Sequence, residues 1–294
     1  MNPLPTLLRR EWMQHHKGYL AMMVVPPVIV LVVLALSRHV DSDNPYPDMV
    51  MAAALAAVTA VVLALGWLAM AIQLPGLARR DQQDRSIEFW LSLPVGHAQS
   101  IGATLLFHAL LMPWLALAIG WLFSFVIGLV LVAMLFGAGG WGQLPWGLLM
   151  ADAIALLGRL GLGVALATLW LSPLLLLSML AGSALKRWGI PALVAGLGLA
   201  ALAMRQVFGV TLVNDGLRYI GVHAALAVSP VGGHPVHPGQ HGEGFGEFLE
   251  GFPQLALQTA GHALQDLATP QFGVAMAVSA LCFAALVALR RRNA

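Results

Sequence analysis

The chain has 294 residues, 59% of them apolar and only 10% charged, with a formal net charge of +2. Soluble domains carry about 25% charged residues, so this chain cannot cover itself with an ordinary wet surface, and the balance of charge marks no nucleic-acid partner. A single cysteine, Cys282, excludes an intramolecular disulfide.

Residues 1–18 read as an amphipathic helix lying in the membrane interface. Leu4, Leu7, Leu8 and Trp12 share one face of a helical wheel, and Arg9 and Arg10 fall away from it as anchors. Glu11 falls on the apolar side, with His15 one turn on. These two are either solvated as the helix leaves the membrane or turned toward a cytoplasmic gate or a partner subunit.

Residues 19–294 then read as a transmembrane domain. Six apolar runs are candidate spans: Tyr19–Leu36, Met49–Leu74, Ile101–Leu122 with a possible extension to Phe136, Leu160–Leu180, Ile190–Val207 and Phe272–Leu289. Crossing a bilayer takes about 20 apolar residues, and in lipid each run must be a helix because every backbone polar group needs an internal partner. The runs are unbroken and do not alternate, which excludes a β-barrel. The expected class is therefore all-α, a polytopic protein of six transmembrane helices.

Basic residues orient the spans. One set of connections holds Arg9, Arg10, Lys17, Arg79, Arg80, Arg85, Lys186, Arg187, Arg290, Arg291 and Arg292, which is eleven of the 15 Lys and Arg residues. The other set holds Arg38 and Arg218, with Arg159 and Arg205 near span ends. Both termini are expected on the cytoplasmic side of the cell (inner or plasma) membrane.

Two stretches exceed one crossing. Ile101–Phe136 precedes the glycines Gly137, Gly139, Gly140 and Gly142, and Leu148–Leu180 contains Asp152 and Arg159. The excess is expected outside, as interfacial or re-entrant helix. Asp152 and Arg159 lie seven apart on one helical face. They either snorkel at the outer interface or form a buried polar pair lining a pathway. Small residues at four-residue spacing, Ala53 and Ala57 beside Ala56, Ala60 and Ala64, and the glycines Gly158, Gly161 and Gly163, suggest close helix packing, within one subunit rather than along a dimer seam.

The loop over residues 77–98 is the most informative segment. It carries Arg79, Arg80, Asp81, Asp84 and Arg85, then Ile87, Glu88, Phe89, Trp90 and Leu91, with Ile87, Trp90 and Leu91 at helical spacing and Pro94 as a stop. On physical grounds alone this is a juxtamembrane helix with Trp90 as interface anchor.

The outer segment, residues 209–270, contains His234, His237 and His241, followed by Glu243 and Glu247. Imidazoles bind zinc, copper or nickel, but the tract is rich in Gly and Pro and nothing fixes its geometry, so the expectation is no metal. Phe245 to Leu267 reads as short amphipathic helices before the last span, with Phe248, Leu249, Phe252, Leu255, Leu264 and Leu267 as apolar contacts.

The chain lacks the G-x-x-x-x-G-K-[ST] phosphate loop, H-E-x-x-H, G-x-S-x-G and any paired-cysteine site. Its spans are poor in the internal carboxylates that ion-coupled carriers use. The chain is thus not expected to be an enzyme or to bind a cofactor.

The 77–98 loop resembles the hallmark of the ABC transporter type-2 permease family. That family has an acidic-Arg pair, a Glu, an apolar run and Leu-Ser-x-Pro, matched here by Asp84, Arg85, Glu88, Phe89 to Leu91, and Leu91-Ser92-Leu93-Pro94. The chain departs from the pattern at Ser86-Ile87, where Gly-Thr is common, and at Gly96-His97, where Ser and a basic residue are common. The resemblance implies a coupling helix, formed by Asp84, Arg85, Glu88, Phe89, Trp90, Leu91 and Pro94, that docks on a separate ATPase subunit holding ATP and magnesium. It also implies a second permease copy or similar subunit, and export. A membrane-embedded enzyme acting on lipid, and a non-transport assembly or sensor subunit, are the alternatives.

Overall fold

The computed structural model describes residues 4–37, 46–83, 96–230 and 242–293. Every regular element among them is helical. We label them α1 (Leu4–Leu36), α2 (Pro47–Gln83), α3 (His97–Phe136), α4 (Trp146–Leu185), α5 (Gly189–Phe208), α6 (Leu212–Val228), α7 (Gly242–Gln265) and α8 (Pro270–Asn293). Five helical runs are long and apolar enough to cross a membrane: Leu4–Leu36, Pro47–Leu77, His97–Phe136, Trp146–Phe208 and Pro270–Arg292. Their outward faces are lined with large apolar side chains, such as Val25, Ile29, Val32 and Val33 on α1, as a lipid-facing surface requires. This is an all-helical, multi-pass membrane protein.

The run Trp146–Phe208 contains a break. A short 3₁₀ turn at Lys186–Trp188 separates α4 from α5, and Lys186 has φ 56°. A Cβ on Gly189 would lie 2.7 Å from the carbonyl of Ala181. Eight residues of unbroken helix would hold these positions about 12 Å apart, so the chain doubles back there and glycine permits the approach.

Helix α4 is the hub, packing on α2, α5, α6, α7 and α8, while α2 and α3 form the most extensive pair. Glycines on both helices set that pair: a Cβ on Gly66 would meet Ala116 at 2.6 Å, and one on Gly128 would meet Met51 at 2.5 Å. The alanine ridges expected to pack inside the subunit do not. Ala53, Ala56, Ala57, Ala60 and Ala64 are exposed. Ala56, Ala60 and Ala64 border an open apolar cavity of about 520 Å³ between α2, α4 and α6. The side of α2 that carries Met51, Leu55, Val62 and Met70 is the one buried, and α2 packs on α3 and α4.

Three sequence expectations change in physical detail. The N-terminal segment does not end near residue 18, because α1 runs unbroken from Leu4 to Leu36. Its buried positions are Leu7, Arg10, Glu11, His15, Tyr19, Met23 and Pro27, whereas Leu4 and Trp12 are exposed. Arg10, expected as an interface anchor, is buried. Finally, the long third and fourth stretches are not re-entrant. Each is continuous helix, and at the start of α4 Leu149 and Ala153 pack with Met51, Leu55 and Val132 while Leu156 and Leu160 pack with Phe252 and Ala256 of α7.

Candidate functional site: a buried Glu-His-His cluster

The buried positions of α1 recur every fourth residue, at Leu7, Glu11, His15, Tyr19, Met23 and Pro27. Ser100, Thr104, His108, Met112, Ala116 and Gly120 do the same on α3. Two such i±4 ridges pack into each other's grooves. Toward residues 19–27 the contact is apolar, with Tyr19, Met23, Phe107, Met112 and Ala116 in one cluster. Toward residues 10–15 it is polar.

Glu11 is the centre of the polar part. Its Oε1 accepts from Arg10 Nη2 at 2.6 Å and from Thr104 Oγ1 at 3.0 Å. Its Oε2 lies 3.3 Å from His108 Nε2 and 3.8 Å from His15 Nε2. The far nitrogen of His108, Nδ1, is 2.9 Å from the hydroxyl of Tyr19. The His15 and His108 rings meet edge to face with centroids 4.7 Å apart. Glu11, Arg10, His15 and His108 are all buried, and His108 is completely inaccessible.

Local backbone structure explains how an imidazole inside an apolar helix reaches this point. Pro113 has no N–H and cannot bond the carbonyl four residues back, that of Ala109. The helix widens into a π turn over Leu106–Leu111, which carries His108. The freed Ala109 carbonyl is claimed by Thr168 Oγ1 of α4 at 2.7 Å. Such π turns within α-helices recur at functional sites.

Glu11 and His15 were singled out from the sequence, and the structure brings them together. Arg10, Tyr19, Thr104 and His108 complete the cluster. The available signals were the lone histidine in the third apolar run and the four-residue recurrence of 11, 15, 19 and 23.

Asp152 and Arg159 are both buried on α4, yet they do not pair. Arg159 donates to Thr259 Oγ1 of α7 at 3.0 Å and to the carbonyls of Ala227 at 2.6 Å and Leu226 at 3.3 Å, at the end of α6. A guanidinium satisfies C-terminal carbonyls and complements the negative end of the helix dipole. Asp152 lies about 10 Å further along the helix axis, and neither carboxylate oxygen has a hydrogen-bond partner among the described residues. Arg159 therefore fastens α6 and α7 to α4. Asp84, Arg85, Glu88, Phe89, Trp90, Leu91 and Pro94, and likewise His234, His237 and His241, lie outside the described residues.

No family model, curated protein or solved structure matches the chain. The Glu11 cluster sets a carboxylate and two imidazoles beside the hydroxyls of Thr104 and Tyr19. Such a donor set can bind a cation or a proton, and mechanically it ties α1 to α3.

Proposed function

We propose that the chain is the membrane-spanning permease subunit of an ATP-binding cassette exporter. Two copies, or this copy and a similar subunit, enclose the pathway in the cell membrane. Six helices cross it, α4 and α5 as separate spans, and both termini are cytoplasmic. ATP and magnesium sit on a separate ATPase subunit that docks on the segment from Asp84 to Pro94. The chain itself makes and breaks no covalent bond.

The observation that favours this reading is positional. Thr104 and His108 stand on α3, the helix that begins immediately after the 84–95 segment, and both touch Glu11 on α1. A push on that segment moves the start of α3, and the buried contacts oblige α1 to follow. Arg290, near the end of α8, reaches Ser100, one turn before Thr104 on α3, at 3.4 Å. The first and last helices are thus both fastened to the helix that the ATPase would drive. The turn at Lys186–Trp188 supports the sixth crossing.

Purification of the chain from its native membrane, with mass spectrometry of what remains bound, tests the proposal. A co-purifying subunit with a phosphate loop, and ATP hydrolysis that persists in the reconstituted complex, is the expected result. A chain that purifies with no ATPase, or with one that Glu88→Arg fails to release, overturns it.

A further inference from the structure

We propose that Glu11, His15 and His108 form a binding site for one divalent transition-metal ion of the zinc class. Each offers one donor atom, and the three donors lie within 4.8 Å of one another. Two imidazoles and a carboxylate, with a fourth position left to water, is a donor set that zinc takes readily. Donor atoms around one tetrahedral zinc, at bond lengths of about 2.0–2.1 Å, stand roughly 3.3 Å apart. His108 Nε2 and Glu11 Oε2 already stand 3.3 Å apart, and His15 Nε2 is 3.8 Å from the same oxygen.

The surrounding groups are arranged as a metal site needs. Ligating histidines usually engage their second nitrogen with a fixed partner, which sets the tautomer and the ring plane. Tyr19 does this for His108 through Nδ1. With the proton of His108 on Nδ1 and given to the Tyr19 oxygen, the Nε2 lone pair faces the Glu11 carboxylate, and a cation belongs between them. Arg10 and Thr104 both bind Oε1 of Glu11, which fixes the carboxylate and leaves Oε2 turned to the imidazoles. The guanidinium of Arg10 repels a cation, so the site is expected to exchange its metal rather than hold it permanently. His15 is the least covered of the three ligands, 9% exposed against 3% for Glu11 and none for His108. An ion there would join α1 to α3 by coordinate bonds across the contact that the proposed transport motion uses. Metal binding and ATPase docking are independent and fail separately.

Untagged protein in lipid nanodiscs, stripped with a chelator, is titrated with Co²⁺ and then with Zn²⁺ in competition. One equivalent of Co²⁺ per chain, with the visible d–d bands of a low-coordinate site, is expected for the wild type and for a variant with His234, His237 and His241 all changed to Ala. His15→Gln should abolish that equivalent. Tyr19→Phe should keep it while weakening affinity ~10–100-fold, the usual cost of losing an outer-shell partner. His15→Cys covers the case in which His15→Gln misfolds, because a thiolate ligand adds a sulfur-to-cobalt charge-transfer band in the near ultraviolet. Absence of a stoichiometric site in the wild type overturns the proposal. So does loss of the equivalent in the triple variant, or cobalt bound to the His15→Cys protein without the charge-transfer band.

Discussion

Glu11 and His108 are 97 positions apart in sequence and meet at 3.3 Å in the protein interior. The contact joins α1 to α3 through a carboxylate that also holds Arg10 and Thr104. Removing one member of a buried charged pair costs about 3–5 kcal/mol, because the other is left uncompensated. Glu11→Ala should therefore lower thermal stability markedly in nanodiscs. Glu11→Gln, which retains an oxygen acceptor for Arg10 or Thr104, should cost clearly less. Equal losses for the two variants would mean that the charge, which both remove, carries the contact and that the oxygen acceptor kept by Gln adds nothing.

Pro113 and Thr168 should be energetically coupled. Thr168→Val deprives the Ala109 carbonyl of the donor it has at 2.7 Å, at a cost of about 0.6–1 kcal/mol. Pro113→Ala restores a backbone N–H four residues beyond that carbonyl, so in that background the same substitution should cost nearly nothing. A double-mutant cycle on unfolding free energies measures the difference. Additive effects would show that Thr168 does not substitute for the missing backbone donor.

Gly158 and Gly163, early in α4, should behave differently, although the sequence presents them alike. A Cβ on Gly163 would run into the carbonyl of Ala227, which belongs to the backbone of α6 and cannot turn aside. Gly163→Ala should destabilise by about 1–3 kcal/mol or more through overpacking and should loosen α6. Gly158 has nothing within 4 Å of such a Cβ. Gly158→Ala should stabilise by up to about 1 kcal/mol from helix propensity. Thermal unfolding of the two variants side by side decides it, together with protease sensitivity of the α6–α7 connection.

Much of this fold is legible in sequence because lipid leaves the backbone few choices. Uninterrupted apolar runs over residues 19–36, 49–74 and 272–289 could only be helices, and they are. The site was half legible. Glu11 drew notice because a carboxylate on an apolar face needs a reason, but its partners Thr104 and His108 lie 93 and 97 residues away, beyond local periodicity. On a helical wheel Arg10 falls away from the apolar face, but a wheel places only the Cβ, and the guanidinium bends back to the adjacent carboxylate. Helix α6 was not foreseen at all, because Asp215, Arg218 and His223 interrupt what would otherwise be an apolar run. The alanine ridge on α2 misled for a different reason. Small residues permit close approach, but the partner helix chooses the face, and here Gly66, Gly120 and Gly128 made that choice.

The segment around Arg85 should face the cytoplasm, together with both termini. Eleven of the 15 basic residues fall on that side under the proposed topology. With Cys282 replaced by Ser, a Ser86→Cys variant should react with a membrane-impermeant maleimide in inverted vesicles and stay unlabelled in intact cells. Labelling from outside intact cells would invert the topology and remove the ATPase from reach.

Glu88→Arg and Trp90→Ala should each abolish transport and weaken ATPase association, while expression and membrane insertion stay normal. Both residues lie between the ends of α2 and α3, outside the five long apolar runs, so their loss should leave the packing of those runs intact. An aromatic side chain seated in a partner's groove is a typical binding hot spot, and truncating it costs upwards of ~2 kcal/mol. Reversing the charge at Glu88 adds repulsion against a surface that accepts a carboxylate. An interfacial helix with no partner predicts the opposite sign for Glu88. An added arginine would strengthen its attraction to anionic lipid by about 1 kcal/mol, and Trp90→Ala would only loosen membrane anchoring. A pull-down of the ATPase with each variant, alongside binding of the isolated 77–98 peptide to anionic vesicles, separates the two. If Glu88→Arg retains the ATPase and its transport-linked hydrolysis at wild-type levels, the segment is not the coupling helix.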